Sequence, residues 1–249
     1  MKDLREIKDY QIVILGLIIA FGAILSTFIF SHAVVAYQKL QNHTITVTGS
    51  ASKDIISDVA VWKGYYSVRC KDLKSGYAQI EANKKAVKEY LIAGGMKEED
   101  IKFTPVSSFP LYKKLSNGYE SNEIDGYNIS QNVEVSSSDV DAITNLSQNA
   151  GSLINKNVVL SSNMIEYYVS NLDDLKVEML AKATKDAKQR AKSMVESTGG
   201  HIGAMTSAKM GVFQIVAKNS TDVSDYGIYN TNAKDKKINA VVNVTFTIK

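Results

Sequence analysis

The hydrophobic pattern begins with an apolar run from Tyr10 to Tyr37, in which the nineteen residues from Ile12 to Phe30 carry no charge. As an α-helix those residues span about 28 Å, which matches a bilayer hydrocarbon core of about 30 Å. The run is longer than the roughly 7–15 apolar residues typical of a cleaved signal peptide. It therefore predicts a retained membrane anchor over residues 10–37. The small residues Val34-Val35-Ala36 would suit signal cleavage, so that alternative stays open.

Basic residues flank the apolar run unequally. Lys2, Arg5 and Lys8 precede it, whereas Lys39 and Lys53 are more widely spaced after it. Positive residues near a membrane span tend to stay in the cytoplasm. The pattern predicts a single-pass protein of the cell membrane, with residues 1–9 cytoplasmic and everything after the anchor extracytoplasmic.

Small residues fall on one side of the predicted anchor. Gly16, Ala20, Ala23 and Thr27 lie within about 60° of one another at 100° per residue. A small-residue stripe lets membrane helices approach closely, so these four residues are candidates for transmembrane self-association. The competing interpretation is that glycine and alanine are simply common in membrane helices.

From Val59 to Ser170, stretches in which apolar and polar residues alternate are interleaved with stretches of helical periodicity. Strands are predicted over residues 59–70, 101–114, 124–136 and 157–170. Helices are predicted over residues 73–93 and, with Ser138 or Asp139 as the N-cap, up to about Ala150. Pro105 and Pro110 interrupt the second strand, and residues 115–123 form its hairpin loop. The order β-α-β-β-α-β predicts a ferredoxin-like domain over residues 59–170.

The remaining elements are predicted to form a second domain. Residues 172–198 form a helix with Ala183, Ala187 and Ala191 on the same buried side as Leu172, Leu175, Met179, Leu180 and Met194. Strands follow over residues 202–218 and 237–249, separated by a polar loop over residues 219–236. A strand over residues 44–52, broken by residues 54–58, is free to join them. The sequence thus predicts an α+β protein whose second domain is discontinuous, with residues 44–52 plus 171–249.

Composition adds few chemical signals. The chain has 29 basic and 26 acidic residues, a balance that gives no reason to expect a nucleic-acid partner. Cys70 is the sole cysteine, so we expect it to pack on its strand as a small hydrophobe. His32, His43 and His201 have no metal-ligand spacing, and no phosphate loop or nucleophile elbow is present. We therefore expect no catalytic, cofactor-binding or metal-binding residue and no enzymatic activity, although carboxylates of a hydrolase could still meet in the fold.

Two polar loops carry the tyrosines that suit a binding site. Tyr119 lies in the loop of residues 115–123, and Tyr226 and Tyr229 lie in the loop of residues 219–236. Tyrosines on loops support the alternative that the protein is an extracytoplasmic module that binds or senses a protein or small-molecule ligand. Loops of this kind are also often plain solvated connections.

Several stretches resemble one family. ITVTGSAS, SDVAVW, DGYNISQNVEV, AKATKDAKQRAKSMVESTGGHIGAM and VVNVTFTI are similar to the SIMPL-domain family, the YggE-like envelope proteins of largely unknown function. Ala51 stands where the family often has glycine, and Ser57 where it often has proline. The resemblance implies an extracytoplasmic or membrane-anchored protein that forms a ring- or channel-like homo-oligomer and has a role in envelope stress. It implies no catalytic residue and no cofactor.

Overall fold

The computed structural model describes residues 3–249, with side chains described for residues 13–37 and 43–249. The side chains of Lys2, Arg5, Lys8 and Lys39, on which the predicted orientation rests, lie outside the described part. The first element is helix α1, Asp3–Asn42. Its segment Val13–Tyr37 is long and apolar enough to cross a membrane, and none of it is buried. Length and composition fit a membrane anchor and a secretory signal equally.

Eleven strands and three further α-helices follow in the described residues. They are β1 (Thr44–Ile56), β2 (Val59–Cys70), α2 (Leu73–Ala93), β3 (Ile101–Phe103), β4 (Ser107–Lys114), β5 (Glu120–Ser137), α3 (Val140–Asn149), β6 (Leu160–Ser162), β7 (Glu166–Tyr168), α4 (Leu172–Glu196), β8 (Ile202–Met210), β9 (Gln214–Ala217), β10 (Ile228–Tyr229) and β11 (Asp235–Ile248). Short 3-10 helices cover Glu98–Asp100 and Ala150–Lys156. The chain is a mixed α+β protein with an apolar N-terminal helix and two sheets.

The six-stranded sheet has the order β3-β5-β2-β6, with β4 also pairing with β5 and β7 with β2. All of these pairs are antiparallel. One face of the sheet packs on α2 and α3, and the buried residues in this core include Trp62, Tyr66, Ile80, Val87, Leu91, Ile129, Val133, Ile143 and Leu146. Burying large side chains of this kind contributes roughly 1.5–3 kcal/mol each.

Local signals explain the limits of α2 and α3. The Asp72 carboxylate accepts the Ser75 backbone N–H at 2.8 Å, and Gly94 and Gly95 follow the last turn of α2. Asp139 caps α3 in the same way, as the sequence predicts. The sequence predicts that Leu73, Tyr77, Ile80, Val87 and Leu91 form one apolar stripe of α2, and the last three are buried whereas Leu73 and Tyr77 are exposed. Cys70 packs beside the core at the end of β2, in agreement with the prediction.

The five-stranded sheet has the order β1-β11-β9-β10, with β8 also pairing with β11. Strand β10 is parallel to β9, whereas β11 is antiparallel to β8 and β9. Every second residue of β11 is buried, namely Lys236, Ile238, Ala240, Val242, Val244 and Phe246. The clean alternation in the sequence therefore does reflect a strand with one buried face.

Helix α4 packs closely because its buried side is made of alanine. Ala183, Ala187 and Ala191 are fully buried, as predicted. A Cβ atom at Gly49 of β1 would lie 2.2 Å from the Ala183 carbonyl oxygen, so no other residue fits there without movement. Met194 was predicted on the same side and is instead 56% exposed. Met194 does not lie in line with the three alanines on the helix surface. Val195, four residues after Ala191, does, and it is buried.

Several predicted strand limits are wrong. Strand β1 runs to Ile56 where the sequence predicts a break. The charged side chains Lys53 and Asp54 within it are paired with Glu178 and Lys218 at 2.8 and 3.0 Å. The strand predicted over residues 101–114 is split around Pro105 into β3 and β4. The strand predicted over residues 202–218 is split into β8 and β9 around residues 211–213.

The region of residues 157–170 contains only the three-residue strands β6 and β7. Asn157 has a left-handed backbone, with φ of 61°, and ends the preceding 3-10 helix. Val159 and Met164 are exposed although their apolar character suggested a buried strand. Apolar content alone is therefore a poor guide to strand length here.

The chain divides into two compact units. Unit 1 comprises residues 1–50, 183–211 and 242–249, and unit 2 comprises residues 51–182 and 212–241. The divisions fall inside β1, α4 and β11. The domain division predicted from the sequence stays a prediction.

Candidate binding site

A groove of about 330 Å³ in unit 2 brings together two of the three tyrosines that the sequence singles out. We call it the tyrosine groove, and its lining residues are Leu172, Lys176, Phe213, Ile215, Tyr226, Gly227, Ile228 and Tyr229. The first turns of α4 supply two of these residues, and the rest come from β9, β10 and the chain beside them. The lining is mainly apolar and aromatic, as in many ligand sites.

A glycine turn places Tyr226 and Tyr229 on the groove. Gly227 has φ of 85°, and its N–H donates to the Ser224 carbonyl at 3.1 Å. A Cβ at this position would lie 2.9 Å from the Phe213 carbonyl oxygen. A side chain at residue 227 is therefore disfavoured both by the backbone conformation and by space. The N–H of the next residue, Ile228, donates to the Phe213 carbonyl at 3.4 Å. This bond starts the pairing of β10 with β9.

Gln214 fastens the loop that precedes the turn. Its side chain is buried, its Nε2 donates to the Ser224 carbonyl at 2.6 Å, and its Oε1 accepts the Ser224 N–H at 3.4 Å. A buried amide that bonds one residue through both its donor and its acceptor mimics a strand neighbour. The loop is therefore held by side-chain hydrogen bonds where the sequence shows only a polar stretch.

The two tyrosines of the groove differ in freedom. The Tyr229 hydroxyl accepts the Val169 N–H at 3.1 Å, and its ring meets the Tyr168 ring edge to face at 6.0 Å. Tyr226, by contrast, is 96% exposed. Tyr229 thus forms a fixed wall, while Tyr226 offers a free aromatic surface.

Charged groups lie on and beside the groove. Lys176 contacts Asp173 at 3.0 Å. Tyr168, which touches Tyr229, donates its hydroxyl to Glu166 at 2.9 Å, and Lys63 contacts the same carboxylate at 3.1 Å. The hydrogen bond from Lys63, followed by that from Tyr168, holds the pKa of Glu166 below its ordinary value. The carboxylate therefore stays ionised and serves as an acceptor for its two partners rather than as a proton donor.

Tyr119 does not line the tyrosine groove. It lies in the turn between β4 and β5, where it is 73% exposed. Its carbonyl accepts the Leu115 N–H at 2.8 Å, and its N–H donates to Asn117 Oδ1 at 3.1 Å. The structure thus brings Tyr226 and Tyr229 together and leaves Tyr119 in a separate feature.

The predicted self-association residues all lie on α1. Gly16, Ala20, Ala23 and Thr27 are exposed, and among the described residues no atom lies within 4 Å of a Cβ built on Gly16. The Thr27 hydroxyl donates to the Ala23 carbonyl at 2.8 Å, so its polarity is satisfied within the helix. Association through this stripe stays a prediction.

Sequence reasoning missed Lys236, the most unusual polar side chain of unit 2. It is fully buried, its Nζ donates to the Ala233 carbonyl, and the ammonium lies 6.0 Å from the centre of the Tyr167 ring. Burial lowers the pKa of Lys236 to about 8. The signal was present, since Lys236 shares the phase of Ile238 and Ala240 on the buried face of β11.

Lys236 has no carboxylate partner within 4.0 Å among the described residues. The buried Ser57 Oγ of unit 2, unlike Lys236 Nζ, has no hydrogen-bond partner among the described residues. Neither side chain reaches the tyrosine groove lining. In the part of the chain that the structure describes, no three His, Cys, Asp or Glu side chains come together in a cluster that could hold a metal ion.

Comparison with known families matches residues 45–246 to the model of the SIMPL family, described as a protein of unknown function (DUF541). The match covers most of the chain, including every strand from β1 to β11. This protein therefore belongs to the SIMPL family, as its sequence resemblance indicates. A comparison with curated proteins finds no significant match.

Proposed function

We propose that this SIMPL protein is a non-enzymatic, membrane-anchored protein of the cell envelope that assembles with copies of itself. The observation that carries the proposal is the unburied apolar helix at Val13–Tyr37, joined directly to a SIMPL domain that starts at residue 45. An exposed apolar segment of that length is stable only in a bilayer or against other apolar surfaces. The family resemblance supports a ring- or channel-like arrangement and a role in envelope stress.

Two features support the membrane arrangement. The greater density of basic residues before the anchor favours a cytoplasmic N-terminus and an extracytoplasmic domain. The exposed stripe of Gly16, Ala20, Ala23 and Thr27 has no unsatisfied hydroxyl, because Thr27 bonds Ala23. Close helix-to-helix contact on this side therefore leaves no polar group unpaired.

The fold of the extracytoplasmic part is proposed to contain a split βαβ unit over residues 59–170. Support comes from the sheet order, in which β5 pairs with one edge of β2, β6 and β7 pair with its other edge, and β3 and β4 pair with the far edge of β5. Helix α2 connects β2 to β3, and β5 lies between these two strands in the sheet. Helix α3 connects β5 to β6, and β2 lies between those, as the split βαβ arrangement requires. The proposed second domain, residues 44–52 plus 171–249, is supported by the pairing of β1 with β11.

The proposal that the protein is not an enzyme rests on the structural roles of ionisable groups whose pKa values are shifted. Glu166 and Glu178 have lowered pKa values because lysines bond them, and both pairs are partly exposed. Lys236 is shifted by burial and has no exposed surface. Each of these groups is explained by local structure without a reaction.

The test combines membrane fractionation with mass measurement. Full-length protein should remain in the membrane fraction after alkaline washing. Protease added outside cells with a permeabilised outer envelope should digest the SIMPL domain. Light scattering of the protein in mild detergent should give several times the chain mass of 27.3 kDa. A protein released by the wash would contradict the anchor, and a single-chain mass would contradict assembly.

The tyrosine groove favours a second function, a module that binds an extracytoplasmic ligand. A fixed wall at Tyr229, a free ring at Tyr226 and a single cation at Lys176 suit an extended ligand with apolar parts and an acidic group. Calorimetry against acidic peptides and acidic envelope glycans would test it. Binding that is lost in Tyr226→Ala and kept in Tyr119→Ala would support this function, and no heat with any of these probes would count against it.

A further inference from the structure

The six-stranded sheet has one face that packs on α2 and α3 and a second face that points away from them. Trp62 and Tyr66 of β2 point to the helices and are fully buried. Tyr65 lies between them in the alternation of the strand and therefore points the other way. It is 37% exposed, and Arg69 on the same side of β2 is exposed as well. The centre of this second face is thus open to solvent.

Three rows of paired residues cross the centre of this face, because directly paired residues of neighbouring strands point to the same side. The first row consists of Asn132, Tyr65 and Ser161, the second of Ser107, Ser130 and Ser67, and the third of Phe109, Asn128 and Arg69. We call these nine residues the open face. Its middle row contains only serines, so it forms the floor of a shallow trough between two rows of larger side chains.

The ring of Tyr65 lies along this trough. The side chain of Ser67, followed by those of Ser130 and Asn128, hydrogen-bonds to the phenol oxygen and lowers the pKa of this tyrosine, although burial opposes the shift. Asn128 is paired with Arg69, which is four residues beyond Tyr65 and therefore about 13 Å further along the strand. A phenol can reach that row only when its ring lies flat along the sheet. Ser130 beneath it is accordingly buried.

Tyr65 is therefore a ready stacking platform. Its hydroxyl is held by three neighbouring side chains, and its exposed fraction belongs mainly to the ring. A flat aromatic ring that is already fixed needs little further ordering when a ligand packs on it. Sugar rings present a flat face of C–H groups that packs on such a ring.

Arg69 supplies an unpaired cation at the hydroxyl end of the platform. Among the described residues no carboxylate lies within 4.0 Å of its guanidinium, whereas Arg190 contacts Asp186 at 2.7 Å. Asp125, near the start of the paired part of β5, is already bonded to Lys71 at 2.6 Å. Because a guanidinium binds carboxylate or phosphate through two parallel hydrogen bonds, Arg69 suits an acidic group of a ligand.

The rest of the open face suits a ligand that is rich in hydroxyl groups. Asn132, Ser161 and Ser107 are exposed, and each of these side chains can both donate and accept hydrogen bonds. Phe109 is the one large apolar side chain that the three rows contain besides the tyrosine. Another protein would therefore find little of the apolar surface that forms the centre of a protein interface.

We propose that the open face is a binding site for an acidic saccharide, with a sugar ring stacked on Tyr65 and a carboxylate or phosphate of the saccharide bound by Arg69. Asn132 and Ser161 would bond the sugar hydroxyls. The site is separate from the tyrosine groove, because none of its residues lines that groove. It is also independent of the proposed self-assembly.

Calorimetry on the full-length protein in mild detergent tests the site with two pairs of probes that differ in charge. The first pair is a peptide-free tetrasaccharide of alternating N-acetylglucosamine and N-acetylmuramic acid, set against N-acetylglucosamine tetrasaccharide. The second pair is a galacturonate trimer, set against its methyl ester. We expect each acidic probe to bind at least tenfold more tightly than its neutral counterpart, because only the acidic group pairs with a guanidinium. Added salt should reduce this difference.

Substitutions separate the two parts of the site. Arg69→Ala should abolish the preference for acidic probes, and because Arg69 is exposed this variant tests the site even where Tyr65→Ala lowers stability. Tyr65→Ala should weaken acidic and neutral probes alike, by about tenfold, through the loss of stacking. Arg190→Ala and Tyr77→Ala are matched controls outside the open face and should bind as the wild type does.

Three outcomes would overturn the proposal. The first is no binding of any of the four probes. The second is binding that Arg69→Ala and Tyr65→Ala both retain, and its loss in Tyr226→Ala would assign it to the tyrosine groove instead. The third is displacement of the acidic probes by acetate at an equal concentration of carboxylate, which would show that the site recognises an anion and not a saccharide.

Discussion

Two tyrosine-bearing turns of unit 2 are built around glycines of nearly the same conformation and differ in what surrounds them. Gly118 has φ of 86° and a Cβ there would meet no atom within 4 Å. Gly227 has φ of 85°, and a Cβ there would press on the Phe213 carbonyl. The turn of Gly227 is fixed by the body of unit 2, and the turn of Gly118 is fixed only by bonds within its own hairpin. The first therefore suits a preformed groove, whereas the second is open to solvent.

The largest gain in stability is expected at Lys236, which ends the loop of residues 219–236. Its pKa falls from 10.5 to about 8 in the folded protein, so at neutral pH its burial costs roughly 3 kcal/mol. Lys236→Met removes this cost and loses one hydrogen bond of about 1 kcal/mol, so we expect a gain of about 2 kcal/mol at pH 7. Urea unfolding followed through the fluorescence of Trp62, the sole tryptophan, measures it.

The same residue predicts a pH dependence. Because the folded pKa of Lys236 is lower than the unfolded one, the unfolded state binds more protons between pH 8 and 10.5. This lysine therefore makes the free energy of unfolding rise with pH over that interval. The difference between wild type and Lys236→Met should shrink from pH 8 to pH 10.5, and a constant difference would contradict the buried ammonium.

The paired glycine substitutions compare the two turns directly. Gly118→Ala should cost about 1 kcal/mol from its left-handed backbone alone. Gly227→Ala should cost about 2–3 kcal/mol, because the new methyl group also meets the Phe213 carbonyl. Equal losses of unfolding free energy in the two variants would show that the surroundings of Gly227 have no part in holding its turn.

Gln214→Leu should cost about 1–2 kcal/mol by removing both bonds to Ser224. Limited proteolysis should then cut residues 219–227 faster. The matched change in the turn between β4 and β5, Asn117→Ala, removes one exposed hydrogen bond and should leave stability within about 0.5 kcal/mol. Unchanged proteolysis of the Gln214 variant would contradict the proposed fastening.

The smallest effect is expected at the tyrosine hydroxyls. Tyr229→Phe leaves the Val169 N–H without its partner and should cost about 1 kcal/mol. Tyr226→Phe should not change stability measurably, because Tyr226 is almost fully exposed. Urea midpoints of the two variants make the comparison, and a loss at Tyr226 would show a contact that its exposure does not suggest.

Sequence patterns identified the elements with strong periodicity. The alternation in β2 and β11 and the alanine row of α4 depend on burial of one face, which a sequence records directly. Short strands such as β6 and β10 depend on a few backbone bonds to distant residues, which leave no periodic signal. The groove depends on Gln214 and Phe213, whose roles follow from contacts with a loop of polar residues. Of the residues that the sequence analysis missed, Lys236 had a signal in the sequence, because its place in the alternation of β11 predicts that it is buried.

Strand β1 also has a consequence for the time course of folding. In the sheet of the described residues β1 is an end strand next to β11, and the Thr46 and Thr245 hydroxyls that meet at 2.9 Å are 199 residues apart. At synthesis rates of about 5–20 residues per second, β1 therefore waits roughly 10–40 s before its neighbour exists. Thr46, Thr48 and Ser50 line its exposed face, so the waiting strand presents hydroxyls on that side rather than apolar groups. Until the last strand arrives, the hydroxyl groups on this side of β1 have water as their hydrogen-bond partner.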